Sequence, residues 1–147
     1  MKKRRLIIIT FILCLSALFI FFGYPNIGLS PIEIEINEYA AIEAEVIDVD
    51  QKGMLVSLTN HSSAEYTFNA FYLLHVKKGN TWYNWKQKDI DREAVTVAYS
   101  IAANTKIEHE VEWPYWYKEL KPGQYRLVLD GSFGTQKANV PIEFSIK

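Results

Sequence analysis

Cysteine is almost missing from this chain: one residue in 147, Cys14, and it falls inside an uninterrupted apolar run. The rest of the sequence therefore has no disulfide, no thiol nucleophile and no thiolate metal site, and its fold must rest on packing. Histidine is scarce as well. His61, His75 and His109 stand far apart, and His109-Glu110-Val111-Glu112-Trp113 lacks the second histidine of a zinc-protease helix. The sequence calls for no cofactor and no metal. Basic charge is short once the extreme N-terminus is set aside. Without Lys2, Lys3, Arg4 and Arg5 the chain keeps twelve basic against seventeen acidic residues, a net of −5. That balance argues against nucleic acid as a partner, because its binders need a positive face to displace counterions. Seven glycines and five prolines are too few for a collagen-like or linker-dominated chain. No amphipathic helix of useful length is visible, and no internal repeat.

The basic run introduces the one long hydrophobic stretch. Leu6–Phe22 holds no charge, and thirteen of its seventeen residues are Leu, Ile or Phe. A helix of that length spans roughly 26 Å, close to the hydrocarbon core of a bilayer. An upper-bound insertion gain is about −4 to −8 kcal/mol. Residues 6–23 thus read as a transmembrane signal anchor. The next basic residue after it is Lys52, so the positive-inside bias leaves residues 1–5 as a cytoplasmic tip and everything after Gly23 outside. Cys14 reads as a small apolar residue of the bilayer helix, since no small residue precedes it as in a lipoprotein signal. Cleavage is the alternative. Gly28 and Ser30 have peptidase spacing, but Pro31 would follow the cut, and a cut after Gly28 places Asn26 at −3. The anchored form predicts a single-pass membrane protein; the cleaved form predicts a secreted one.

Residues 24–31, Tyr-Pro-Asn-Ile-Gly-Leu-Ser-Pro, form a short linker. Residues 32–147 then read as strands. Ile32, Ile34 and Ile36 alternate with glutamates, and Ile42, Ala44 and Val46 do the same in a strand that runs to about Val49. Gln51-Lys52-Gly53 turns the chain into Met54–Thr59, and Asn60-His61-Ser62-Ser63 turns it again. Glu65–Asn69 and Phe71–Lys77 follow, with Lys78-Gly79-Asn80 as a hairpin signal before Thr81–Lys86. A polar stretch from Gln87 to Glu93 leads to Val95–Tyr99. Thr105–Trp113 alternates most clearly, with Thr105, Ile107, His109, Val111 and Trp113 on one face and Lys106, Glu108, Glu110 and Glu112 on the other. Pro114–Glu119 has room for one helical turn. Tyr125–Leu129, a turn at Asp130-Gly131, and Ala138–Ile146 complete the pattern. Seven to nine short strands about ten residues apart predict an all-β antiparallel sandwich.

Leu120-Lys121-Pro122-Gly123-Gln124-Tyr125-Arg126-Leu127 resembles the turn before a late strand of immunoglobulin-like domains, where a tyrosine bonds back across the corner. In that structural tyrosine corner Pro122 fixes φ, Gly123 permits positive φ and the Tyr125 phenol secures the arch. Val56-Ser57-Leu58-Thr59-Asn60-His61-Ser62 resembles the opening strand of such modules, and Tyr72-Leu73-Leu74 with Gly79-Asn80-Thr81-Trp82-Tyr83 their middle hairpin. In this order the motifs, over about residues 54 to 130, resemble the bacterial Ig-like domain of membrane-anchored and exported proteins. The resemblance implies a single immunoglobulin-like sandwich, an extracytoplasmic setting and no motif-borne catalytic residues.

Each remaining candidate has a plain counterpart. His109 on the apolar face reads as a core histidine bonded to backbone and kept neutral by desolvation. Glu108, Glu110 and Glu112 form either a patch for a divalent cation or basic partner, or a solvated face that discourages edge pairing. Gly131-Ser132-Phe133-Gly134 lacks the spacing of a nucleophile elbow, and loss of a hydrolase activity on changing His109 and Ser132 would overturn the non-enzyme reading. The aromatic segments Trp82-Tyr83-Asn84-Trp85 and Trp113-Pro114-Tyr115-Trp116-Tyr117 hold all four tryptophans. Trp113 faces the core. Tyr115, Trp116, Tyr117 and Trp85 are the candidate protein-binding residues, or else they cap one end of the sandwich. The expected function is that of a non-enzymatic membrane-anchored module. Its partners would be the lipid bilayer, through Leu6–Phe22, and another envelope or membrane protein. A secreted inhibitor or ligand-binding protein is the alternative.

Overall fold

The computed structural model describes Ile32 and residues 41–88 and 97–147. The expected span 6–23, the linker 24–31 and the alternating run after Ile32 lie outside the described residues. Among the described residues no helix is long and apolar enough to cross a membrane.

Among the described residues nine strands form two antiparallel sheets: β1 (Ile42–Val49), β2 (Gly53–Asn60), β3 (Tyr66–Lys78), β4 (Thr81–Asn84), β5 (Ala98–Ile101), β6 (Lys106–Glu112), β7 (Gly123–Phe133), β8 (Gln136–Lys137) and β9 (Val140–Ile146). The smaller sheet has the order β1-β2-β6. In the larger sheet β3 and β7 lie side by side at the centre. β4 and β5 share the far edge of β3, and β8 and β9 share the far edge of β7. The inner faces supply one core, in which Val56, Leu58, Phe68, Leu74, Val111, Trp113, Leu127 and Leu129 are all buried. Period-2 alternation does this sorting, and β9 shows it plainly: Val140, Ile142, Phe144 and Ile146 are buried while Glu143 and Ser145 are exposed.

Local chemistry fixes the connections. Asp50 Oδ1 accepts from Lys52 N (2.7 Å) and Gly53 N (2.9 Å), closing the turn from β1 into β2. Asn60, fully buried at the end of β2, spends its whole amide. Its Nδ2 donates to Ala64 O (2.8 Å) and Ile101 O (3.0 Å), and its Oδ1 accepts from Ser62 N (2.9 Å) and Ser62 Oγ (2.7 Å). The Asn-plus-small-polar segment thereby ties the end of the smaller sheet to β5 of the larger one.

Several sequence expectations change. Glu65–Asn69 and Phe71–Lys77 are not two strands but one, β3, with a register shift between Phe68 and Tyr72. The polar Asn69 marks that irregularity, which bends the strand without ending it. Asp130-Gly131 is no turn, since β7 runs through it and Gly131 pairs with Phe68. Glycine is needed there for space: a Cβ would overlap Tyr66 Oη and lie 2.7 Å from Thr67 O. The last strand begins at Val140, after the two-residue β8. The strand expected at Val95–Tyr99 lies partly outside the described residues, and β5 covers Ala98–Ile101. Pro114–Glu119 does hold one helix-like turn, with Tyr117 N donating to Trp113 O at 2.7 Å.

Candidate functional site

The turn after β6 decides where each aromatic residue of the 113–117 segment points. Trp113, the residue after β6, is fully buried, its indole N–H on Gln51 O (2.7 Å) and its ring stacked on Phe144 with 5.5 Å between centroids. The helix-like turn then moves successive side chains around an axis by about 100° each. Tyr115 emerges 61% exposed. It stands edge-on to Trp116 at 4.7 Å, and Trp116, half-buried, stands edge-on to Phe71 of β3 at 5.7 Å.

Tyr117 completes the turn inward, 1% exposed, and is no surface residue. Its position has a physical cause in β3. That strand is longer than either of the two that share its edge: β5 pairs Tyr66–Asn69 and β4 pairs His75–Lys78. The backbone between them needs other partners. Val97 O accepts from Ala70 N (2.9 Å), and Leu74 O accepts from Trp85 N (2.8 Å). The Tyr117 hydroxyl accepts from Leu74 N (3.2 Å) and from Gln87 Nε2 (2.9 Å), and donates to Tyr72 O (3.2 Å). One phenol, with one donor and two lone pairs, thus stands in for a missing piece of strand.

Trp85 is not part of the Tyr115–Trp116 pair. Half-buried, it packs edge-on against Tyr125 at 5.8 Å. Tyr125 itself forms the tyrosine corner, its hydroxyl donating to Lys121 O at 2.8 Å across the Pro122-Gly123 turn. Positive φ among the described glycines occurs at Gly79 and Gly134, so Gly123 does not use the left-handed region expected of it. Gly79, at φ 59, sits in the Lys78-Gly79-Asn80 hairpin, where the sequence calls for such a turn.

Next to Trp116 the two sheets part. A cleft of about 410 Å³ opens between β6 and the irregular stretch of β3, walled by Asn69, Tyr72, Tyr99, His109, Glu110 and Trp116. Tyr72 reaches across it and donates to Glu112 O at 2.8 Å. Burial pushes the Tyr72 hydroxyl far above its ordinary range, and nearby Tyr117 and Glu112 add to the effect, so it stays a neutral donor. His109 is half-buried and held by rings, 5.1 Å from Phe68 and 4.6 Å from Tyr99, both edge-on. Burial lowers its pKa, as the sequence leads one to expect of a histidine on that face. The sequence offers Tyr115 and Trp116 but gives no notice of Asn69, Tyr72 and Tyr99. The one available signal is the break in alternation at Asn69-Ala70, where the strand bulges and the cleft begins.

The other two histidines lie elsewhere. His61 Nε2 meets Glu43 Oε2 at 2.8 Å in an exposed pair. His75 is buried on the outer side of the larger sheet, where Arg126 Nε lies 3.3 Å from its Nδ1. Desolvation first, and then the Arg126 charge, lower its pKa to about 4. Arg126 also lies over the Trp82 ring at 4.5 Å. Glu108, Glu110 and Glu112 are exposed along β6, opposite the buried Val111. Among the described residues no group of three His, Cys, Asp or Glu side chains could hold a metal ion.

A family model described as the bacterial Ig-like domain matches residues 32–143, a wider span than the motif-bearing stretch. No curated protein and no solved structure matches the chain.

Proposed function

We propose that this chain, which belongs to the bacterial Ig-like domain family, is a non-catalytic interaction module held on the outer side of a membrane by Leu6–Phe22. It binds another envelope or membrane protein through the rim formed by Tyr115 and Trp116. Domains of this family are typically non-enzymatic, which agrees with a site made of rings and backbone. The observation that carries the reading is Tyr115, a large aromatic residue 61% exposed and braced on Trp116 beside a cleft. Rigid aromatic anchors at a cleft mouth are what interface hot spots are made of. The uncharged Leu6–Phe22 run behind four basic residues supports the tether.

Two measurements in the native host test it. The intact mass of the mature protein in membrane and medium fractions tells whether 6–22 is retained. A membrane species that keeps the segment is expected; a shorter species in the medium would make the protein a secreted binder instead. Crosslinking on cells should then yield a partner adduct that is lost in a Tyr115→Ala/Trp116→Ala variant whose unfolding midpoint is near wild type. An adduct of undiminished yield would reject the aromatic rim.

A further inference from the structure

We propose that the outer edge of β6 takes up an extended, basic segment of a partner polypeptide as an added strand, with alternate side chains entering the cleft beside it. This deepens the interaction reading above and rests on it. The smaller sheet has two ends. At one end β1 carries a register shift between Val46 and Asp48 and lies against β9. At the other end β6 pairs with β2 in unbroken register from Lys106 to Glu112, and among the described residues no strand pairs with its other side. Glu112 O faces that side, because it receives the Tyr72 hydroxyl there. Backbone groups in an antiparallel strand alternate between its two sides, so the N–H and C=O of Glu108 and Glu110 share the direction of Glu112 O. The edge is thus a short row of donors and acceptors ready for another strand.

Charge names the occupant. Glu108, Glu110 and Glu112 are all exposed along this edge, and Lys106 at its start is the only basic residue of the strand. In an added strand the side chains directly opposite these glutamates would be stabilised if basic and destabilised if acidic. The residues in between would turn toward the cleft, where the Tyr99 and Trp116 rings offer apolar and cation–π contact to a long side chain. A row of glutamates also guards an edge against copies of its own chain, since two such rows repel. The same device that excludes self-pairing therefore selects a partner of opposite sign.

The test uses the full-length chain in detergent and a set of fluorescent decapeptides that alternate Lys with Val, Thr or Tyr. A second set has Glu for Lys, and a third is N-methylated at alternate backbone nitrogens. At least one basic peptide should bind, the acidic set should not, and N-methylation should weaken binding about tenfold or more. Binding should fall as salt is raised, and Glu108→Gln/Glu110→Gln should weaken it several-fold. Amide exchange at Glu108 and Glu110 should slow on saturation. Three outcomes overturn the inference: no binding by any basic peptide, equal binding by the acidic set, or equal binding by the N-methylated set, which would mean attraction by charge without strand addition. A partner adduct that still depends on Tyr115 and Trp116 while the peptides fail would sink this inference and leave the module reading standing. Binding by the basic peptides with an adduct that no longer depends on Tyr115 and Trp116 would keep this inference and reject the aromatic rim.

Discussion

Changing Tyr117 to Phe removes one oxygen and nothing else from the packing, so it isolates the hydrogen bonds that complete β3. Three groups lose a partner: Leu74 N–H, Tyr72 C=O and the Gln87 amide. The first two sit in the buried part of the strand, between the stretches that β4 and β5 cover. A buried donor left without an acceptor costs about 1–3 kcal/mol, and the carbonyl adds a smaller amount. We expect Tyr117→Phe to destabilise the domain by about 2–4 kcal/mol, a drop in melting temperature on the order of 10 °C for a domain of this size. Two other tyrosines calibrate the measurement. Tyr125→Phe loses a single bond to Lys121 O and should cost about 1 kcal/mol. Tyr115→Phe, at an exposed site, should stay within about 0.5 kcal/mol of wild type. Urea unfolding followed by tryptophan fluorescence would rank the three, and amide exchange at Leu74 should rise selectively in the Tyr117 variant. If Tyr117→Phe costs no more than Tyr125→Phe, the phenol is not standing in for strand backbone and the reasoning is wrong.

Stability should also depend on pH through two histidines. The folded state holds His75 near pKa 4 and His109 below its ordinary value of 6.5, so the unfolded chain binds protons more readily. The contribution is fully present above about pH 7 and is lost as pH falls from 6.5 toward 4; His75→Gln should flatten part of that slope in urea midpoints, and a midpoint that rises on acidification would contradict the sign. Gly131→Ala would place a methyl group on the Tyr66 phenol and should cost about 3 kcal/mol or more, read as lost soluble expression or a lowered melting temperature. Gly134→Ala meets nothing within 4 Å and should cost only the left-handed backbone, about 1 kcal/mol. Asn60→Ala strands Ile101 O and the Ser62 groups and should cost about 2–4 kcal/mol by the same measurement.

How legible each element is depends on whether its signal is local. β1 and β6 carry exposed glutamates between residues that turn inward, and β2 between them is a short apolar run bounded by turn residues, so the sequence reads all three almost to the residue. The Asn60 segment and the Pro122-Gly123-Tyr125 corner are legible for the same reason, since their bonds close within a few residues. The misreadings share another cause. Asp130-Gly131 is a turn dipeptide by local rules, yet a tyrosine 65 positions earlier needs the space that glycine leaves. Asn69-Ala70 looks like a break, but Asn69 pairs with Ala98 of β5, Ala70 N donates to Val97 O, and pairing with β7 resumes at Tyr72. Tyr117 looks like its neighbour Tyr115, and only the unequal lengths of β3, β4 and β5 turn it inward. The cleft draws on residues from four strands that no short window brings together, so the sequence shows its rim and not its walls.

The place of β7 has a consequence for how the domain is made. Among the described residues it is the sole strand paired with β8 and β9, and it pairs with β3 at both ends of the bulge, from Thr67 to Val76, yet it begins only at Gly123. A chain still growing from the ribosome can close the β1–β2 hairpin early, but in the larger sheet β3 has only β4 and β5, four residues each, beside it until residues 123–147 arrive. Folding should therefore be a late, nearly all-or-none event that waits for β7 and is slow for its size, since its decisive pairings join distant parts of the chain. A stop codon near Leu120 would yield no smaller working domain. It would yield an unfinished polypeptide with open strand edges, a substrate for proteases.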